Sequence, residues 1–293
     1  MNQWTDGYWW SKDGLRLHYR DYAGPTDHPP ILCIPGLTRN ARDFEQLAEQ
    51  LAARNRVIVV ELRGRGESAY ARDTLTYVPL TYVQDLQSLF EALAVPRFIA
   101  IGTSLGGILS LLIAATDRGR LAGIVLNDVG PQIEAAGLDR IRSYVGKNQS
   151  WPTWVHAARA LEAANRDVFP AWTLQDWLAH AKRLCRLSQQ GRVIFDYDMK
   201  IAEPFNLPGG EAGVDLWPTL DAIADIPALL IRGAHSDILS AATAARMVER
   251  VPGLALHTLP DVGHAPLLTE PAVIAAIEAL VEQANRGAPR GDT

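Results

Sequence analysis

Ser104 stands between two glycines at positions ±2, in Gly102-Thr103-Ser104-Leu105-Gly106, and is the side chain best placed here to act as a nucleophile. An apolar, β-branched run (Phe98–Thr103) precedes it and a Leu/Ala-rich run (Leu105–Thr116) follows, which reads as strand, turn, helix. A serine at the tip of so sharp a turn takes strained backbone geometry, and its neighbours two residues away must be small for the turn to close. The N–H groups opening the next helix would then face whatever Ser104 attacks. A serine hydroxyl needs a base, and the base needs an acid to orient it. Among seven histidines, His264 is singled out because Asp261-Val262-Gly263-His264-Ala265-Pro266 lies between the last strand pattern and the last helix pattern. His18 and His257 fall inside strand patterns and read as structural. For the acid, Asp237 in Arg232-Gly233-Ala234-His235-Ser236-Asp237 follows a strand and is the preferred candidate, with Asp128 and Asp261 as rivals. A helix N-cap is the alternative role for Asp237. The chemistry implied is acyl transfer: Ser104 attacks a carbonyl, His264 takes and returns the proton, and Asp237 fixes the imidazole tautomer.

The elements that must position these groups alternate along the chain. Lys12-Asp13-Gly14 between two β-like runs suggests an opening hairpin. Strands are expected at Ile31–Ile34, Arg56–Leu62, Phe98–Thr103 and Leu121–Asn127, with helices at Ala41–Arg54, Tyr82–Leu93 and Leu105–Thr116 between them. Continuous apolar strands of this kind suit a parallel sheet covered by helices on both faces. The alternation stops at Asp128-Val129-Gly130-Pro131 and resumes with strands Ala228–Ile231 and Leu254–Leu259 and helices Ala241–Arg250 and Ala272–Asn285. One discontinuous domain, residues 1–130 and 218–285, is therefore expected to carry a helical insertion at 131–217, with a frayed tail at 286–293. The insertion holds five of the eight tryptophans. They read chiefly as its own core, with Trp151 and Trp154 as candidates to line an apolar pocket over Ser104. Charges such as Arg140, Arg142, Lys182 and Arg183 are spaced like solvated helix faces.

Composition narrows the classes further. With 48% hydrophobic and 21% charged residues among 293, the chain is globular in character and unlike a disordered one. A net charge of −5 argues against a nucleic-acid partner. Two cysteines make no disulfide framework. The first residues lack a basic start and an apolar core, so a cytoplasmic protein is expected. Phe98–Ala115 carries no charge, but its Gly/Ser/Thr centre reads as a turn and not as a membrane span.

At this point the chain resembles the α/β-hydrolase superfamily, from about residue 15 to 283. The order Ser104, Asp237, His264 is that superfamily's order, and the insertion stands where its cap stands, after the sixth strand. Pro35-Gly36-Leu37 resembles the oxyanion loop, with Pro35 where members often carry His. The resemblance implies that the backbone N–H groups of Leu37 and Leu105 form an oxyanion hole. Glu61-Leu62-Arg63-Gly64-Arg65-Gly66-Glu67-Ser68 resembles the family's structural Asp-x-Arg-Gly-x-Gly-x-Ser segment, with Glu61 replacing Asp. The expected activity is serine-dependent hydrolysis of a small to medium carboxylic ester, without metal or organic cofactor. Lactone, thioester and carbon–carbon bond hydrolysis and perhydrolysis use the same triad on this scaffold and stand as alternatives, as does a hydrolase-like receptor. Gly64-x-Gly66-x-x-Ala69 fits a dinucleotide fingerprint on paper, but a loop-like stretch follows where such a site needs a helix.

Overall fold

The computed structural model describes residues 3–206 and 215–287. A hairpin of β1 (Thr5–Trp10) and β2 (Arg16–Tyr22) opens the chain, turning at Gly14 with φ +80°, where a side chain would be strained. Then follow β3 (Ile31–Ile34), α1 (Glu45–Leu51), β4 (Val57–Glu61), α2 (Pro79–Ala92), β5 (Phe98–Thr103), α3 (Leu105–Thr116) and β6 (Leu121–Asn127). The expected helix 41–54 is shorter: a 3-10 turn at Ala41–Phe44 leads into α1. The helix expected from Tyr82 starts earlier, because Pro79 occupies its first turn, where its missing N–H costs nothing.

The insertion contributes α4 (Ala135–Tyr144), β7 (Ser150–Trp151), α5 (Trp154–Asn165), α6 (Leu174–Leu184), β8 (Cys185–Leu187) and β9 (Val193–Phe195). It is not helical throughout: β7, β9 and β8 form a small antiparallel sheet. Gly191 at φ +72° lets the chain reverse between β8 and β9, which then pair Cys185 with Phe195 and Leu187 with Val193. The chain returns through β10 (Ala228–Gly233), α7 (Ala241–Arg250), β11 (Leu254–Leu259) and α8 (Pro271–Arg286). Of the expected tail, Arg286 ends α8, and residues 288–293 lie outside the described residues.

The main sheet has eight strands in the order β1-β2-β4-β3-β5-β6-β10-β11, antiparallel at β1-β2-β4 and parallel beyond. Strands β3 and β5 alternate between two apolar layers. Leu32, Ile34, Phe98 and Ala100 face the side covered by α2, α3 and α7, while Ile31, Cys33, Ile99 and Ile101 face α1 and α8. Both faces are buried, so nearly every strand residue is apolar and the strands read as continuous runs. The uncharged stretch from Phe98 divides into β5 and α3. Among the described residues no helix is long and apolar enough to cross a membrane.

Candidate active site

Ser104 occupies the turn between β5 and α3 at φ 52°, ψ −115°, a region that costs a non-glycine residue about 1–3 kcal/mol and must be imposed by its surroundings. The surroundings are backbone. A Cβ on Gly106 would come within 2.0 Å of the Ile34 carbonyl oxygen, and one on Gly102 within 2.4 Å of the Gly106 backbone. The two glycines therefore let α3 pack down on the strand ends while the serine projects from the tip.

His264 bridges the Ser104 hydroxyl and a carboxylate. Its Nε2 lies 2.9 Å from Ser104 Oγ and its Nδ1 lies 2.8 Å from Asp128 Oδ2. Asp128 is fully buried at φ 56°. Its N–H donates to the Ile231 carbonyl at 2.8 Å, and its Oδ1 accepts from the Gly233 N–H at 2.9 Å, so the carboxylate is held from two sides. Asn127 braces the same edge, with Nδ2 donating to Thr103 Oγ1 at 3.0 Å and to the Pro266 carbonyl at 2.9 Å. Three strand ends and the His264 loop thus form one rigid corner.

The acid expected from the sequence is displaced. Asp237 makes no hydrogen bond or ion pair with His264; it forms a two-point ion pair with Arg140, Nη2 to Oδ1 at 2.8 Å. Two features explain the correction. β6 is the hydrogen-bonded neighbour of β5, with Thr103 opposite Asn127, so Asp128 leaves the sheet one strand from Ser104. The loop carrying Asp237 is instead stitched to α4: Glu134 N–H donates to the Ile238 carbonyl at 3.1 Å, and Gly137 packs against the Asp237 backbone. Arg140 arrives one turn later and takes the carboxylate. Arg140 therefore is not on a merely solvated face. Burial alone would raise the Asp237 pKa, but the hydrogen bonds and charge of Arg140 outweigh it and hold the carboxyl below its ordinary range. Asp261, the other rival, is exposed.

The Leu37 and Leu105 N–H groups have no hydrogen-bond partner among the described residues. Leu105 opens α3, where first-turn N–H groups have no intrahelical acceptor. Arg65 Nε donates to the Leu37 carbonyl at 2.8 Å and fixes the peptide that follows Leu37. Glu61 supports the far end of the same loop, accepting from the Ala41 N–H at 3.0 Å while its other oxygen accepts from the Glu67 N–H at 2.7 Å and meets His18 at 2.9 Å.

Above Ser104 and His264 opens a cleft of about 90 Å³, walled by Leu37, Phe44, Ile141, Tyr144 and Leu267 and carrying Arg39 and Asp43. Trp151 and Trp154 are not in its wall. Trp151 meets Phe195 edge-on at 5.2 Å, and both tryptophans pack on the insertion's own core of Ala157, Leu161, Trp177 and Val193. The insertion instead reaches the cleft through α4. Ile141 and Tyr144 lie one turn apart on its face and were not singled out by sequence reasoning. A signal was present in their helical spacing, but nothing in it says which surface that face meets.

The sequence profile of the Alpha/beta hydrolase family matches residues 31–277. The 3-hydroxybutyrate-oligomer hydrolase of Cupriavidus necator is 32% identical over 269 residues, 89% of this chain and 90% of that protein. The 2-(acetamidomethylene)succinate hydrolase of Mesorhizobium japonicum is 27% identical, over 80% of this chain and 81% of its own length. The crystal structure of an alpha/beta hydrolase from Novosphingobium aromaticivorans superposes with a TM-score of 0.93 at 55% identity, covering 97% of this chain and 99% of that one. A match of this length, with a strand–serine–helix turn at the edge of an eight-stranded, mostly parallel sheet, places the chain in the alpha/beta hydrolase family.

Proposed function

We propose that this hydrolase cleaves carboxylic esters of hydroxy acids through a Ser104–His264–Asp128 triad. The observation that carries the reading is the imidazole of His264, bonded at one nitrogen to Ser104 Oγ and at the other to the buried Asp128 carboxylate. Asp128 keeps the proton on Nδ1, which leaves Nε2 free to accept from the serine. The Ser104 oxygen attacks the ester carbonyl, and the Leu37 and Leu105 N–H groups receive the negative charge that develops on its oxygen. His264 passes the proton to the departing alkoxide. A water molecule, deprotonated by the same imidazole, then opens the acyl-serine and releases the acid. The inserted segment acts as a cap, with α4 closing one side of the cleft.

The hydroxy-acid preference rests on likeness to a 3-hydroxybutyrate-oligomer hydrolase along nine-tenths of both chains. The test is turnover of p-nitrophenyl acetate and of a 3-hydroxybutyrate dimer by the parent protein and by Ser104→Ala. Turnover of both by the parent, lost in the mutant, supports the reading; turnover independent of Ser104 would sink it.

A further inference from the structure

Beside the nucleophile stands a cation that the chemistry of acyl transfer does not use. Arg39 lies two residues past the loop amide of Leu37 and lines the Ser104 cleft. A Cβ built on Gly36 would touch Arg39 Cγ at 3.3 Å and Ser104 Cβ at 3.6 Å, so both side chains stand over the same glycine. The guanidinium is held in place: Nε and Nη2 both donate to the carboxylate of Asp43, four residues on, the latter at 2.9 Å. Nη1 has no partner among the described residues, and the side chain retains about a fifth of its exposure. Asp43 therefore fixes the fork without using all of its donors. Tyr144, also in the cleft wall, has a hydroxyl with no partner among the described residues. A second guanidinium in the neighbourhood, Arg140, is already committed to Asp237.

An oriented, partly free guanidinium in a cleft that also has apolar walls, such as Leu37, Phe44 and Ile141, is suited to a carboxylate at one end of a partly apolar substrate. We infer that Arg39 binds the free carboxylate of an oligomeric hydroxy acid and so selects, for cleavage at Ser104, the ester bond nearest that carboxylate. The inference rests on the hydroxy-acid ester reading above and adds to it which bond is cut. In such an oligomer the unit bearing the free carboxylate contributes its hydroxyl to the adjacent ester. Only a few bonds then separate the carboxylate from the scissile carbonyl, and Arg39 and Ser104 stand over the same glycine. Ser104 Oγ bonds to the carbonyl carbon, the carbon–oxygen bond to the terminal unit breaks, and that unit leaves as an alcohol with the proton from His264. Water then cleaves the acyl-serine to release the shortened oligomer. Hydroxy acids are thus removed one at a time from the carboxyl end.

The experiment compares kcat/KM for a 3-hydroxybutyrate dimer as free acid and as methyl ester, in the parent, Arg39→Gln and Arg39→Lys. The parent should prefer the acid, and the preference should fall by about ten- to a hundredfold in Arg39→Gln and recover in part in Arg39→Lys, chiefly through KM. A trimer labelled in its carboxyl-terminal unit should release labelled monomer first. Equal rates on acid and methyl ester in the parent, or unlabelled monomer appearing first, overturns the inference whether or not the variants fold. Ser104-dependent turnover of p-nitrophenyl acetate in the same preparation keeps the two apart: if it persists while the acid preference is absent, only the role of Arg39 falls. If it too is absent, the ester-hydrolysis reading falls.

Discussion

The Nδ1 atom of His264 and the Oδ2 atom of Asp128 lie 2.8 Å apart although 136 residues separate them in the chain. The pair exists because β6, which ends at Asn127, sits inside the sheet between the strand that delivers Ser104 and the strand beside the one that precedes His264. Asp128 is thus the first residue free of the sheet beside the strand that delivers Ser104, and its burial removes water as a competitor for the imidazole.

Removal of the nucleophile gives the plainest expectation. Ser104→Ala should fold and lose esterase activity by roughly 10⁴-fold or more. A serine-directed phosphonate should add one adduct mass to the parent and none to the mutant, which intact-mass spectrometry reads directly.

Exchange of the two acids is more discriminating. Asp128→Asn should lower kcat by about 10³- to 10⁴-fold, because the amide would favour the wrong imidazole tautomer. Its carbonyl can still accept from the Gly233 N–H, so the fold should survive. Asp237→Asn, which loosens only the Arg140 pair, should cost less than about tenfold. Steady-state rates in the opposite order would assign the acid to the loop after β10.

The Arg140–Asp237 pair should appear in stability as a function of pH. Asp237 has a depressed pKa in the folded protein, so its contribution is complete above the ordinary Asp value near 4 and is lost as pH falls through the lower folded value. Both side chains are partly exposed, which limits the effect to about 0.5–1 kcal/mol. Arg140→Gln should therefore unfold at a lower Tm than the parent at pH 7, with the gap narrowing at a pH below the ordinary Asp value. A gap of equal size at both pH values would mean that Arg140 acts through packing alone.

Substrate choice should follow α4 and not the tryptophans. Ile141→Ala removes part of the cleft wall and should shift the relative kcat/KM among esters of different acyl length by roughly ten- to a hundredfold. Trp154→Ala, on the insertion's own core, should lower Tm while keeping the parent's ranking of esters. An ester panel on both mutants measures this, and a ranking altered only by Trp154→Ala would place the pocket elsewhere.

Much of this molecule is determined by the sequence alone, and for local reasons. Strand and helix order follows from apolar runs and their periods, because both faces of the sheet are covered. The sharp turn at Ser104 follows from Gly102 and Gly106, since only glycine leaves room for the backbone that crosses them. His264 is legible from its place between the last strand and the last helix. Tertiary structure decided the rest. Asp128 and Asp237 both follow strands that end at the same sheet edge, and no local pattern distinguishes them. The choice was made by the pairing of Thr103 with Asn127 in adjacent strands, and by an arginine on an inserted helix that reaches across 97 residues to neutralise Asp237. Trp154 was likewise assigned by packing, because an apolar helix face buries itself against whichever apolar surface lies nearest. Here that surface is α6 and the small sheet, and the cleft was left to Ile141 and Tyr144.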